Sequence, residues 1–138
     1  MTSVYTDMGS RNNITAIAYV IVDDHSHICS DSMVIECEAN KSTDSKELMA
    51  VYYALLKVQE IGCQPPIEVI TDSTNTIAKI HNKKEHKSLI LKRIRSIAKD
   101  YKIRFKHIQG HLDRRNLNVL VDNMCTAKIK EALMNDTS

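Results

Sequence analysis

Four carboxylates, Asp7, Glu47, Asp72 and Asp122, stand where a folded chain could gather them. Asp7 ends an apolar-alternating run, Val4-Tyr5-Thr6-Asp7, and Asp72 ends another, Ile67-Glu68-Val69-Ile70-Thr71-Asp72. Glu47 opens a stretch of helical spacing, and Asp122 lies inside a second one. Hard divalent cations take oxygen ligands. Acids supplied by different elements can hold two Mg²⁺ ions against a phosphodiester. Clustered like charges repel and raise one another's pKa, and a divalent cation removes that cost. Gly110-His111 precedes the last acid. A histidine in a loop there can carry a proton near the metals, because it titrates near neutral pH.

Each residue also has an ordinary reading. Asp44-Ser45-Lys46-Glu47 fits a capping box, with Asp44 at the N-cap and Glu47 three residues on. Asp72 can cap a helix that follows it. Asp122 can be one more polar residue on an amphipathic helix, and His111 a plain surface histidine. Asp7 is the hardest to dismiss. At the end of a central strand an isolated carboxylate is costly to bury unless it is paired or bound to metal.

The elements that must position these groups follow from periodicity. Residues 3–7 read as a strand, 11–13 as a turn and 15–22 as a buried strand. A hairpin turn at 23–26 leads to a third strand at 32–38, starting near His27. Leu48, Val51, Leu55 and Val58 recur at helical steps between residues 45 and 61, and Gly62 supplies the stop. A strand at 67–71, a helix at 73–80 and a helix at 87–99 follow. The helix at 87–99 carries the apolar stripe Leu89, Ile90, Ile94 and Ile97. A strand at 103–108, a loop at 110–115 and a helix from 116 or 117 to about 133 complete the chain. Helices between the later strands favour parallel pairing with right-handed crossovers. The expected fold class is α/β: a five-stranded mixed sheet, three antiparallel strands then two parallel ones, flanked by helices.

Bulk properties narrow the class. The 138 residues, 43% apolar and 26% charged, suit one globular domain spanning 1–138. No apolar run approaches the roughly 20 residues that span a bilayer, so no membrane association is expected. The N-terminus shows no secretory pattern. Cys29, Cys37, Cys63 and Cys125 lack CxxC spacing and fit free thiols in a reducing cytoplasm. Net charge is +2 but unevenly placed. Residues 1–78 hold 4 basic and 11 acidic side chains, residues 79–138 hold 15 and 6. The stretch 79–106 alone has 11 basic and 2 acidic residues, which suits a polyanion and places Lys92 and Arg93 on a binding helix.

Tyr5-Thr6-Asp7-Met8-Gly9-Ser10, Glu47-Leu48-Met49-Ala50, Thr71-Asp72-Ser73, and Gly110-His111 followed by Asn118-Val119-Leu120-Val121-Asp122 together resemble the type 1 ribonuclease H family. They also resemble the ribonuclease H domains of reverse transcriptases. The resemblance runs from about residue 4 to 133. It implies the ribonuclease H-like fold and an endonuclease that cuts the RNA strand of RNA/DNA hybrids with two Mg²⁺ or Mn²⁺ ions. Asp7 then bridges both metals, Glu47, Asp72 and Asp122 complete the shells, and His111 assists proton transfer or product release. It further implies nucleic-acid contacts at Asn12, Thr43, Ser73 and Asn118, beside Lys92 and Arg93. A monomer is expected. The chain departs from the family in several places: Met8 intervenes between Asp7 and Gly9-Ser10, Asp44 stands where Asn or Gln is usual, the interval from His111 to Asp122 is one residue longer than usual, there is no Trp, and residues 81–87 replace the basic protrusion of some relatives. Two other readings stay open: a nucleic-acid-binding module that cuts poorly, and a nuclease of the same superfold with another substrate.

Overall fold

The computed structural model describes residues 1–24, 26–35, 43–82, 88–108 and 117–136. Three strands, β1 (Thr2–Arg11), β2 (Ile14–Asp23) and β3 (Ser26–Ile35), form an antiparallel meander. There follow α1 (Thr43–Ile61), β4 (Ile67–Thr71), α2 (Thr74–His81), α3 (Leu89–Asp100), β5 (Ile103–His107) and α4 (Leu117–Asp136). The sheet order is β3-β2-β1-β4-β5, with β1–β4 and β4–β5 parallel. The mixed five-stranded sheet is therefore the one expected. Asn12 and Asn13 join β1 to β2 with φ of 51° and 65°. Two-residue turns of this left-handed kind match the twist of paired strands, and asparagine tolerates them.

Period-two alternation sorts the sheet into two faces. Val4, Tyr19, Ile21 and Val69 meet α1 through Leu48, Val51, Leu55 and Val58, and α3 through Leu91, Ile94 and Ile97. On the opposite face Ala16, Ala18 and Val20 meet Val121, Cys125 and Ile129 of α4. Those three recur every four residues, one stripe of a helix. Small residues let α4 approach closely: a Cβ on Gly9 would stand 3.2 Å from Ile129 Cδ1 and 3.4 Å from Cys125 Cβ.

The structure corrects two boundaries. β1 does not stop at Asp7 but continues to Arg11, because its pairing with β2 persists to Arg11↔Ile14. The apolar stripe of α3 includes Leu91, 1% exposed, and not Leu89, which is 60% exposed. Ser88 starts this helix, its Oγ accepting from the Leu91 N–H, and that start sets the phase. The Glu36–Glu38 end of the expected third strand lies outside the described residues. Among the described residues, no helix is long and apolar enough to cross a membrane.

Candidate metal centre

The site forms where β1 loses one neighbour. Parallel pairing of β1 with β4 runs from Thr2↔Ile67 to Tyr5↔Ile70 and ends. Beyond Tyr5 the β4-side edge of β1 is open, and Asp7 stands two residues into that gap. Asp72 follows the last residue of β4, and Glu47 lies near the start of α1. One carboxylate oxygen from each of Asp7, Glu47 and Asp72 lies within 4.8 Å of the others. Asp7 and Glu47 are buried, at 4% and 6% exposure, while Asp72 is exposed. Asp122, on α4, stands close enough to Asp7 for its charge to raise that carboxyl.

Local bonding fixes each acid. The Met8 N–H donates to Asp7 Oδ1 at 2.9 Å. The helix cap next to Asp72 is Ser73, not Asp72. Ser73 Oγ accepts from the Thr76 N–H at 3.2 Å and from the Thr76 hydroxyl at 2.8 Å, while the Ser73 N–H donates to Thr71 Oγ1 at 3.1 Å. The turn is thereby held without the Asp72 carboxylate. Glu47 is carried by a helix whose next residues, Leu48, Ala50 and Val51, are buried. Asp122 sits between buried Val121 and Cys125, and the Cys125 thiol donates to the Asp7 carbonyl at 3.5 Å.

Burial and crowding leave their mark on titration. Burial above all, then repulsion from Asp72, pushes the Asp7 carboxyl up to about 7. The Met8 N–H opposes this, and Asp122 adds to it. Burial, then the charges of Asp7, Glu47 and Asp122, push the Cys125 thiol up to about 12, so it stays protonated and can donate. An all-carboxylate donor set with two members buried fits a hard divalent cation such as Mg²⁺ or Mn²⁺. Such an ion neutralises the repulsion that raises Asp7.

The other expected residues are more dispersed. Asn12 is exposed at the tip of the β1–β2 turn. Ser73 is occupied as the α2 cap. Lys92 and Arg93 are exposed on α3, and Arg93 Nη1 lies 3.4 Å from the Tyr52 hydroxyl. Arg95, from the same basic stretch, serves structure: it donates to the carbonyls of Lys79, Ile80 and Asn82 and so ties the end of α2 to α3. His111 and the side chains of Thr43, Asp44 and Asn118 lie outside the described residues. The chain leaves β5 beside Asp72, since the Ile108 N–H donates to the Thr71 carbonyl at 3.0 Å. Replacing Lys92 or Arg93 by alanine should weaken nucleic-acid binding across sequences and flatten its salt dependence by about one unit of slope. Binding titrated over a range of salt checks this, and an unchanged slope removes α3 as a binding surface. Sequence reading did not foresee the bracing by Lys46, whose ammonium donates to Ser10 Oγ at 3.1 Å, or by Cys125.

The crossover sheet and its carboxylate-ringed seam define an α/β domain of the ribonuclease H-like fold, with a site suited to hard cations. The chain belongs to the RNase H family, whose profile matches residues 1–130. Among solved structures it is similar to LC11-RNase H1 in complex with an RNA/DNA hybrid (TM-score 0.73, 23% identity, covering 96% of this chain and 99% of that one). It is also similar to RNase H1 of the halophilic archaeon Halobacterium salinarum (TM-score 0.70, 19% identity, covering 94% and 98%). The N-terminal RNase H domain of a Mycobacterium tuberculosis protein aligns with TM-score 0.76 at 14% identity, covering 98% and 97%. No curated protein sequence matches the chain.

Proposed function

We propose that this chain is an endonuclease hydrolysing the RNA strand of RNA/DNA hybrids, using two Mg²⁺ or Mn²⁺ ions. The observation that carries the reading is the convergence of Asp7, Glu47 and Asp72 within 4.8 Å, with Asp122 against Asp7. Family membership and the likeness to an RNase H1 bound to a hybrid support the substrate. By the family resemblance Asp7 would serve both ions, and Glu47, Asp72 and Asp122 would complete the shells. The ions would supply an activated water and charge stabilisation at the leaving oxygen. The chain's own part is to fix the four acids, exclude water around Asp7 and Glu47, and hold the strand in place. His111 is assigned proton transfer or product release. Selectivity for RNA rests on its 2′-hydroxyls, which DNA lacks. We further assign the chain to the cytoplasm as a monomer, with 1–138 acting as one domain.

A labelled RNA/DNA hybrid incubated with Mg²⁺ or Mn²⁺ should be cut in its RNA strand. Folded protein that leaves the hybrid intact with both metals would falsify the reading. The Met8 insertion and Asp44 motivate a second reading, a module that binds hybrid and cuts poorly. Met8 keeps its N–H on Asp7, which favours the active reading. Competition among hybrid, RNA duplex and DNA duplex separates hybrid cleavage from a related nuclease activity.

A further inference from the structure

The four acids are carried by layers on opposite sides of the sheet. Asp7, Asp72 and Glu47 belong to β1, to the end of β4 and to α1, whereas Asp122 rides on α4 across the sheet from α1. The distance from Asp122 to Asp7 therefore depends on how closely α4 approaches β1. That approach is fixed at one joint. The Cys125 thiol, 1% exposed, donates to the Asp7 carbonyl at 3.5 Å, so α4 is bonded to the backbone of the residue that carries the first acid. Two residues along, Gly9 has no side chain, and a Cβ there would stand 3.4 Å from Cys125 Cβ and 3.2 Å from Ile129 Cδ1. Asp122 lies three residues before Cys125, one helical turn away on the same flank. The Thr126 hydroxyl donates to the Asp122 carbonyl at 3.2 Å and ties that turn to the next. A movement of α4 at Gly9 is thus passed to the Asp122 carboxylate through one turn of helix.

We infer that Gly9, Cys125 and Ile129 are positioning residues of the metal centre: their joint sets the gap between Asp122 and Asp7, and with it the size of cation that the gap accepts. The inference rests on the proposed metal-dependent activity and adds to it a device that chooses the cation. Mg²⁺ takes oxygen ligands at about 2.0–2.1 Å in near-ideal octahedral geometry, while Ca²⁺ takes them at about 2.3–2.6 Å in flexible geometry. A shift of a few tenths of an ångström therefore costs Mg²⁺ far more than Ca²⁺. A Cβ added at Gly9 supplies such a shift by levering α4 outwards, since Cys125 Cβ is fixed to the helix backbone and cannot rotate away. Removing the Cys125 thiol supplies another, by releasing the helix from the Asp7 carbonyl. A buried cysteine that acts only as a small hydrophobe changes stability when it is truncated and leaves cation preference alone.

Calorimetric titrations of the whole chain with Mg²⁺ and, separately, with Ca²⁺ test this, beside denaturant melts in EDTA. Gly9→Ala should weaken Mg²⁺ about 10-fold and Ca²⁺ about 2-fold or less. Adding Ile129→Val, which removes the Cδ1 methyl, should restore much of the Mg²⁺ affinity. Cys125→Ala should also weaken Mg²⁺ more than Ca²⁺, and Cys125→Ser, which keeps a donor for the carbonyl, should lie nearer the wild type. Cys63→Ala removes a buried thiol from the core on the other face and should lower stability with both affinities unchanged. If Gly9→Ala and Cys125→Ala lower stability while both cations bind as in the wild type, the joint is ordinary core and the inference is overturned. Equal weakening of Mg²⁺ and Ca²⁺, or no relief of Gly9→Ala by Ile129→Val, overturns it as well. A wild type that binds neither cation and leaves the hybrid intact overturns the proposed function and this inference with it. A wild type that binds and cuts, with the variants identical to it, overturns the inference alone.

Discussion

Asp7→Asn should abolish hybrid cleavage and at the same time make the metal-free protein more stable. The loss of turnover should reach at least about three orders of magnitude, because the amide cannot supply the charge that draws divalent cations between the other acids. The gain in stability follows from the Asp7 carboxyl, raised from 3.8 to about 7 by burial and by Asp72. The folded chain therefore keeps a proton that the unfolded chain releases. This contribution to stability is fully present below pH 3.8 and is lost as pH rises towards 7. Above pH 7 the carboxylate is charged, buried and repelled. A neutral amide of the same shape avoids that penalty, on the order of 2–4 kcal/mol. Denaturant melts of both proteins at pH 5 and pH 8 in EDTA check the sign. The variant should gain at pH 8 and gain much less at pH 5. Adding Mg²⁺ should stabilise the wild type and leave Asp7→Asn almost unchanged. A variant less stable than the wild type at pH 8 would show that Asp7 is not under electrostatic strain.

The second large effect should come from Ile17→Ala. Ile17 is fully buried and packs with Ile35 and Ala50, with Met8 against the same cluster. Ala50 lies three residues after Glu47 and Met8 one after Asp7, so this small cluster holds the backbone segments that carry two of the acids. Truncating a buried isoleucine costs about 2–5 kcal/mol, the spread reflecting how far neighbours collapse into the space. The side chain touches no substrate, yet metal affinity should also fall severalfold, because the α1 residues beside Glu47 lose their support. Leu55→Ala, in the separate cluster under α1, should cost similar stability and leave metal affinity in place. Calorimetric titration with Mn²⁺ on both variants distinguishes the two; equal affinities would show that the cluster under Asp7 and Glu47 is ordinary core.

The parts legible in the sequence were those with a clean period. Leu48, Val51, Leu55 and Val58 marked α1 and all four are buried. The run from Ile67 to Thr71 marked β4 as it stands. Misreadings came where composition carried no period. The second half of β1 is Met8-Gly9-Ser10-Arg11, which shows no apolar alternation, and it is a strand because β2 pairs with it. Leu89 shared the spacing of a core residue, but the Ser88 cap fixes the helix phase and turns it to solvent. At the site, the acids were readable as a set because each lies near an element end or on a stripe edge. Their bracing was not. The bond from Cys125 to the Asp7 carbonyl joins residues 118 positions apart, and the Lys46–Ser10 contact spans 36. Only the register of the sheet and the docking of α4 bring such partners together.

That docking has a consequence for the order of events on the ribosome. α4 supplies Asp122 and closes Ala16, Ala18 and Val20 from solvent, and it follows all the other described elements in chain order. A nascent chain that has emerged only as far as β5 carries three of the acids and an uncovered sheet face. Asp7 then meets water in place of α4, its fourth carboxylate is missing, and exposed apolar strands invite wrong partners. Completion of the final helix is thus the step that both seals the sheet and arms the chemistry. A half-made chain is denied its cutting site until the domain is whole.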